Sequence, residues 1–353
     1  MSTTRVVVAD DSAFVRYTVS HHLSCQPDLE VVGLASNGVE AVEQVEALRP
    51  DVVVLDVEMP LMDGLSALRQ VMSRRPTPVV MMMNGLAREG AASTVEALVS
   101  GAVDFITKPG QLTGVHQVLG ELGHKVRQAA GARVRAHRPL RQRALSREGE
   151  SAGPSEHLVL VGTSGGGPAA LGEVIGRLPA DLDACVVVVQ HMGAPFTRAL
   201  AEQLDRISLL PVREAAAGDR VERRQVLIVP GGRYLTLTEE RELCLTAGPP
   251  GGGRRLTLDL ALESAAQVFG RRALAAILTG LGRDGLAGAR ALKERGGRVL
   301  AQDEATSVFY EMPGSVVEAG LADEVVPLDL MADTIAEMVK ATEPRPGAKG
   351  PAG

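Results

Sequence analysis

The chain contains no tryptophan, and aromatic residues make up only 2% of its 353 positions. That shortage removes the stacking platforms on which single-stranded nucleic acids bind. A formal net charge of -6 likewise disfavours a chain that coats phosphate backbones or anionic lipid. Cysteine is sparse as well. Cys25, Cys185 and Cys244 are odd in number and far apart, which fits free thiols in a reducing cytoplasm and leaves no metal-ligand spacing among them. No apolar run approaches the roughly 20 residues that span a bilayer, and "MSTTRVVVADD" lacks the shape of a signal peptide. These absences lead to the expectation of a cytoplasmic protein with no nucleic-acid partner and no direct membrane insertion.

What is present is a 45% hydrophobic, 23% charged composition, ordinary for a soluble globular protein. The length suits two domains. "RVVVAD", "LEVVGLAS", "DVVVLDV", "PVVMMM" and "VDFITK" are continuously apolar rather than alternating, as buried parallel strands are. Helix-length amphipathic segments separate them, which predicts an N-terminal (βα)5 doubly wound α/β domain over residues 1–124. An Arg-rich stretch without apolar periodicity, residues 125–155, reads as a linker. Strand-like runs then resume with "LVLVG", "ACVVVVQ", "QVLIVP", "YLTLT", "LAAILTG" and "RVLAQ". A second, mostly parallel α/β domain is expected over residues 156–342, followed by a disordered tail at 343–353.

In an open α/β sheet, ligands lie outside the carboxyl ends of the strands. Asp10 and Asp11 end the first predicted strand, Asp56 ends the third, and Lys108 ends the fifth just before Pro109. Three carboxylates on one edge repel unless a cation joins them. Oxygen-only ligands of that kind suit Mg2+, which favours a phosphate as co-ligand. A lysine opposite could pair with a phosphoryl group.

"VADDSAFVR", "DVVVLDVEMPLMDG" and "ITKPG" resemble the receiver domain of two-component response regulators. The resemblance implies that Asp56 accepts a phosphoryl group from a chemotaxis histidine kinase. It also implies that Asp10, Asp11, Asp56 and the backbone carbonyl of Glu58 hold Mg2+, and that Lys108 contacts the phosphoryl oxygens. Phe105 falls where that family carries an aromatic switch residue. One position departs: the Ser or Thr of the family at the end of the fourth strand is Met83 here, with Asn84 beside it.

The second domain opens on "HLVLVGTSGGGPAALGEVIG". Its Gly162-Thr163-Ser164-Gly165-Gly166 fits the G-x-S-x-G pattern of a serine held on a strand-to-helix turn. Taken locally, it is also Gly-rich enough to cradle phosphate at a helix N-terminus. A hydroxyl nucleophile needs a base, and the base needs an orienting acid. His191 follows the strand "CVVVVQ", and Asp284 lies in the Gly-rich loop after "AAILTG". Three strand ends on one sheet edge can therefore bring Ser164, His191 and Asp284 together. The order Ser, His, Asp differs from the Ser, acid, His order of α/β-hydrolases. A dinucleotide site fits poorly, because "GTSGGG" lacks the G-x-G-x-x-G spacing.

"VGTSGGGPAAL", "VVQHMGAPFTRALAEQLD", "VPGGRYLTL", "AAILTGLGRDGLAGARAL" and "AQDEATSVFYEMPGSVVEAG" resemble, in this order, the catalytic domain of the chemotaxis protein-glutamate methylesterase family. The resemblance implies a serine hydrolase that removes methyl esters from glutamates, and deamidates particular glutamines, on the cytoplasmic domains of chemoreceptors. Ser164 would be the nucleophile, His191 the base and Asp284 the orienting acid, with no cofactor for this half. The backbone N–H groups of Gly165 and Leu281 would receive the oxyanion. The residue after the serine, usually Thr in that family, is Gly165 here. Two rivals are weaker. A DNA-binding response regulator would need a helix-turn-helix after the linker. A binding module with a dead esterase would not need an intact Ser164, His191 and Asp284.

Overall fold

The structure, a computed structural model, describes residues 3–83, 88–108, 115–136, 153–248 and 257–341. The chain forms two compact units, one built around Met1–Arg141 and the other around the C-terminal half.

The first unit alternates strands and helices: β1 (Thr4–Ala9), α1 (Ala13–Ser24), β2 (Leu29–Ala35), α2 (Gly38–Leu48), β3 (Val52–Asp56), α3 (Gly64–Arg74), β4 (Val79–Met83), α4 (Arg88–Val99), β5 (Asp104–Thr107) and α5 (Val115–Ala130). The strands form one parallel sheet in the order β2-β1-β3-β4-β5. All five apolar runs of the sequence are strands of this sheet. β3 and β4 are buried at every position, as expected where helices cover both faces. Val6, Val8, Val54 and Met82 pack with Leu23 of α1 and with Leu122 and Val126 of α5. Three helices start by one rule. Ser12, Asn37 and Asp63 each accept, through a side-chain oxygen, the N–H three residues on, at Val15, Glu40 and Ser66. That bond satisfies a donor the helix itself leaves open. Helix α5 continues past residue 124 to Ala130. Most of the Arg-rich segment (137–152) and all of the tail expected at 343–353 lie outside the described residues.

The C-terminal part of the chain contains β6 (Leu158–Thr163), α6 (Gly167–Ile175), β7 (Cys185–Gln190), α7 (Ala194–Asp205), β8 (Val212–Glu214), β9 (Gln225–Ile228), β10 (Arg233–Leu237), β11 (Leu243–Ala247), α8 (Thr257–Phe269), β12 (Ala273–Ile277), α9 (Leu286–Glu294), β13 (Arg298–Gln302), α10 (Glu311–Glu318), β14 (Glu324–Val326) and α11 (Met331–Ala341). Seven strands make a parallel sheet in the order β14-β13-β12-β6-β7-β9-β8. "YLTLT" is a strand but not of this sheet: as β10 it pairs antiparallel with β11 in a separate hairpin. Its Leu235 and the Leu243 of β11 join the core formed by Leu258, Leu262 and Ala265 of α8. Short β8 and β14, of three residues each, carry too few positions for a periodic signal.

β6 lies centrally. The chain leaves it toward β7 on one side and returns to β12 on the other. This reversal is the topological switch point, where a crevice opens beyond the strand ends.

The thiols differ sharply in environment. Cys25 and Cys244 are exposed, whereas Cys185 is buried in β7, where desolvation pushes its pKa up to about 12. A thiolate is the reactive species. A thiol-specific reagent should therefore titrate two of three thiols in the native protein and all three in denaturant. Fast native labelling of Cys185, located by peptide mapping, would contradict this packing.

Candidate active site and receiver pocket

Strand register brings the sequence-predicted residues to one edge of the second sheet. Thr163 and Gln190 are paired at the ends of β6 and β7. Ser164 and His191 are the next residues on adjacent strands, and the His191 N–H donates to the Thr163 carbonyl at 3.1 Å. On the other flank of β6, the Ser164 N–H donates to the Thr279 carbonyl at 3.1 Å, and Thr163 Oγ1 donates to the same carbonyl at 2.7 Å. Ser164 is thus held between the extensions of β7 and β12.

Asp284 reaches His191 from the turn after β12. Its Oδ2 lies 2.6 Å from His191 Nε2. The carboxylate also closes the start of α8: Oδ2 accepts the Leu258 N–H at 3.0 Å, and Oδ1 accepts the Asp259 N–H at 3.0 Å. These amides belong to the first helical turn, whose donors have no partner within the helix. Burial alone would raise the Asp284 pKa, but the His191 hydrogen bond and the two amides hold it below the usual carboxylate value. The Asp284 side chain is 4% exposed and the His191 side chain 32%. The acid is therefore fixed inside the protein while the imidazole is partly exposed. Among the described residues, Ser164 Oγ makes no hydrogen bond to the imidazole. Such bonds often tighten only when substrate binds.

The turn from β12 to α9 depends on two glycines. At Gly280 a Cβ would lie 2.2 Å from Met312 Sδ and 2.9 Å from Ser164 Cβ. Gly285 has φ 103°, a conformation that favours glycine, and it turns the chain from Asp284 into α9. Leu281, between them, is half-buried. Its turn is clasped by the start of α10, where the Met312 N–H donates to the Gly280 carbonyl at 3.0 Å and Glu311 Oε2 accepts the Gly282 N–H at 2.8 Å.

Sequence reasoning passed over four residues here: Gln190, Thr257, Asp259 and Glu311. Thr257 Oγ1 lies 3.2 Å from His191 Nε2. Asp259 Oδ1 accepts the N–H groups of Gly285 and Gly288 at 2.9 and 2.7 Å, so it closes α9 just as Asp284 closes α8. Burial raises the Asp259 pKa, with the neighbouring Asp284 carboxylate adding to the rise, against the lowering by those two amides. Thr-x-Asp before an apolar run is a helix-start signal, and "TLDLALESAA" carries it. Gln190 had only its place before His191 to mark it.

At the carboxyl edge of the first sheet, Asp10 and Asp56 are buried and Asp11 is exposed. One oxygen from each of the three falls within 4.8 Å of the others. Lys108 Nζ donates to Asp56 Oδ2 at 2.6 Å and is ion-paired with Asp10 Oδ2 at 3.0 Å. Desolvation, reinforced by the Asp10 charge and only partly offset by Lys108, pushes the Asp56 pKa up to about 6. Asp11 and Glu58 line the adjoining pocket with Asp63. Met83 ends β4 with its thioether buried, accepting a hydrogen bond from Thr94 Oγ1 of α4. Asn84 lies outside the described residues.

Comparison with known proteins matches residues 6–120 to the response regulator receiver domain and residues 159–335 to the CheB methylesterase family. A protein-glutamate methylesterase/protein-glutamine glutaminase of Symbiobacterium thermophilum is 44% identical, over 95% of this chain and 97% of its own. The chain belongs to this family. A relative with the same name from Thermotoga maritima is 41% identical, over 95% of this chain and 98% of its own. The crystal structure of the Thermotoga maritima CheB methylesterase catalytic domain is similar at 39% identity and a TM-score of 0.50, covering 52% of this chain and 98% of that domain.

A receiver domain of this family implies Mg2+, and the donor set fits one. It offers only oxygen, and among the described residues Asp56 Oδ1 is buried without a hydrogen-bond donor. A cation would relieve the repulsion that raises Asp56. In the metal-free chain, Asp56 contributes stability that is complete below its ordinary value of 3.8 and lost as pH rises through about 6. A carboxylate must be ionised to hold a metal, so the proton competes with it. The apparent Mg2+ affinity should therefore rise about tenfold between about pH 5 and about pH 7.5. Calorimetric titration giving a flat affinity over that range would contradict the raised Asp56 value.

Proposed function

We propose that this chain is a phosphorylation-regulated esterase in which Ser164, His191 and Asp284 act as nucleophile, base and orienting acid. Its substrates are methylated glutamates, and particular glutamines, on chemoreceptor cytoplasmic domains. The observation that carries the reading is the 2.6 Å contact of Asp284 with His191 Nε2, one strand away from Ser164. With Nε2–H donated to a carboxylate, the imidazole keeps its lone pair on Nδ1. Nδ1 is then the atom that takes the Ser164 proton as Oγ attacks the ester carbonyl. The negative charge that develops on the carbonyl oxygen is received by backbone N–H groups, for which Gly165 and Leu281 are the candidates. Collapse breaks the bond to the methoxy group, which leaves as methanol with the proton from Nδ1. Water then attacks the acyl-enzyme, again losing its proton to Nδ1, and releases the glutamate with Ser164 regenerated. A glutamine side chain follows the same course with ammonia as leaving group.

The receiver half supplies the control. Asp56 is the phosphoryl acceptor, with a chemotaxis histidine kinase as donor. Lys108 is already 2.6 Å from Asp56, where it can neutralise phosphoryl oxygens. Asp10, Asp11 and the Glu58 carbonyl, with Asp56, would hold Mg2+, which supplies the charge neutralisation that phosphoryl transfer requires.

Ser164→Ala should lower methanol release from methylated receptor fragments by about a million-fold in kcat, as loss of a triad nucleophile does. Release within tenfold of wild type would sink the assignment. Regulation meets a specific handicap at Met83, because a thioether cannot donate a hydrogen bond to a phosphoryl group. Phosphorylation of Asp56 should stimulate the esterase. Met83→Ser should raise the phosphorylated-to-unphosphorylated activity ratio by about tenfold, the worth of a charge-assisted hydrogen bond. An unchanged ratio in Met83→Ser would place the coupling elsewhere.

A further inference from the structure

Gln190 ends β7 and is 6% exposed. Its Nε2 donates to the Ser164 carbonyl at 3.0 Å and makes a longer contact, 3.5 Å, to the His191 carbonyl. Its Oε1 is buried and, among the described residues, accepts no hydrogen bond. The orientation of the amide is decided by its neighbours. Both nearby groups are carbonyl oxygens, which can only accept, so the NH2 end must face them. A buried amide that leaves its own oxygen unsatisfied to keep that orientation holds it at a cost.

We propose that Gln190 is a positioning residue that joins the backbones of Ser164 and His191 through one amide group. The inference rests on the triad reading above. Register pairing ends at Thr163 and Gln190, and beyond it the two strands are joined by the His191 N–H bond to the Thr163 carbonyl. The Gln190 side chain adds a tie to the Ser164 carbonyl, since one NH2 group carries two hydrogens and two carbonyls lie within its reach. The Ser164–Gly165 peptide is planar, so anchoring the Ser164 carbonyl also fixes the direction of the Gly165 N–H on the opposite edge of that plane. The same bond thereby sets both the nucleophile's backbone and one candidate oxyanion donor. Gln190 itself touches no reacting atom.

The test uses the full chain and compares Gln190→Met with Gln190→Glu. Methionine keeps the length and apolar packing but removes the donor. Glutamate keeps the shape but turns oxygens toward two carbonyls. Methanol release is measured per active serine, counted by stoichiometric labelling with a fluorophosphonate, so that partly unfolded protein does not enter the rate. Gln190→Met should lower kcat per labelled site about 10- to 100-fold with KM within about threefold, the signature of misplaced reacting groups in an otherwise intact site. Gln190→Glu should be slower still. A role limited to filling space would reduce the number of labelled sites and leave the rate at each unchanged, and a rate per site within threefold of wild type in Gln190→Met overturns the proposal. Ser164→Ala run alongside separates the two readings. If Ser164→Ala retains wild-type release, the triad reading fails, whereas a silent Ser164→Ala with a fully active Gln190→Met removes only the role of Gln190.

Discussion

The Asp284 carboxylate is shared between an imidazole and the beginning of a helix. It accepts from the N–H groups of Leu258 and Asp259 while lying 2.6 Å from His191 Nε2. The N-terminus of α8 carries partial positive charge as well as open donors, so the carboxylate stays ionised at a position where burial alone would favour its acid form. Much else follows from that one placement. Helix α8 must approach the end of β6 closely, and Gly162 permits it, since a Cβ there would lie 2.0 Å from Leu258 Cδ2. Asp259 closes the beginning of α9 in return. Two helices thus exchange carboxylates, and the turn bearing Asp284 is held from both sides.

The receiver pocket solves the opposite problem. Asp10 and Asp56 are buried side by side with one lysine between them. Around Asp56, desolvation and the Asp10 charge outweigh the Lys108 contact and the Glu58 backbone hydrogen bond, and the pKa rises rather than falls. The two sites are made of the same residue type at the carboxyl edges of parallel sheets. Their difference lies in what surrounds the carboxylate. Where amide donors converge, the acid is held in its charged form. Where another carboxylate stands beside it, the charge is poorly compensated and the pocket favours an added cation.

Much of this was legible from the residues. Continuous apolar runs marked the strands because a parallel strand covered on both faces has no solvent side to leave a polar alternation. Ser164 and His191 were visible because each follows such a run directly, and Asp284 because it lies in the Gly-rich loop after one; chain position beyond a strand end translates into position at a sheet edge. "YLTLT" is legible as a strand, but nothing in it states which edge it pairs with, so its antiparallel pairing with β11 is visible only in the structure. Asp259 was missed because its acceptor role toward Gly285 and Gly288 spans 26 and 29 residues. Met83 was identified as a departure, but its bond to Thr94 depends on how α4 lies against β4.

The sequence by itself determined the two α/β units, the family and the candidate chemical groups, because hydrophobic periodicity and residue type are local properties that one dimension records. Tertiary structure alone decided that His191 meets Asp284 through Nε2, that Asp284 and Asp259 each close the other's helix, and that Gln190 reaches the carbonyls of both Ser164 and His191. Those are matters of direction and of distance between segments far apart in the chain. They are set by strand register and helix packing, which place side chains that no spacing rule connects.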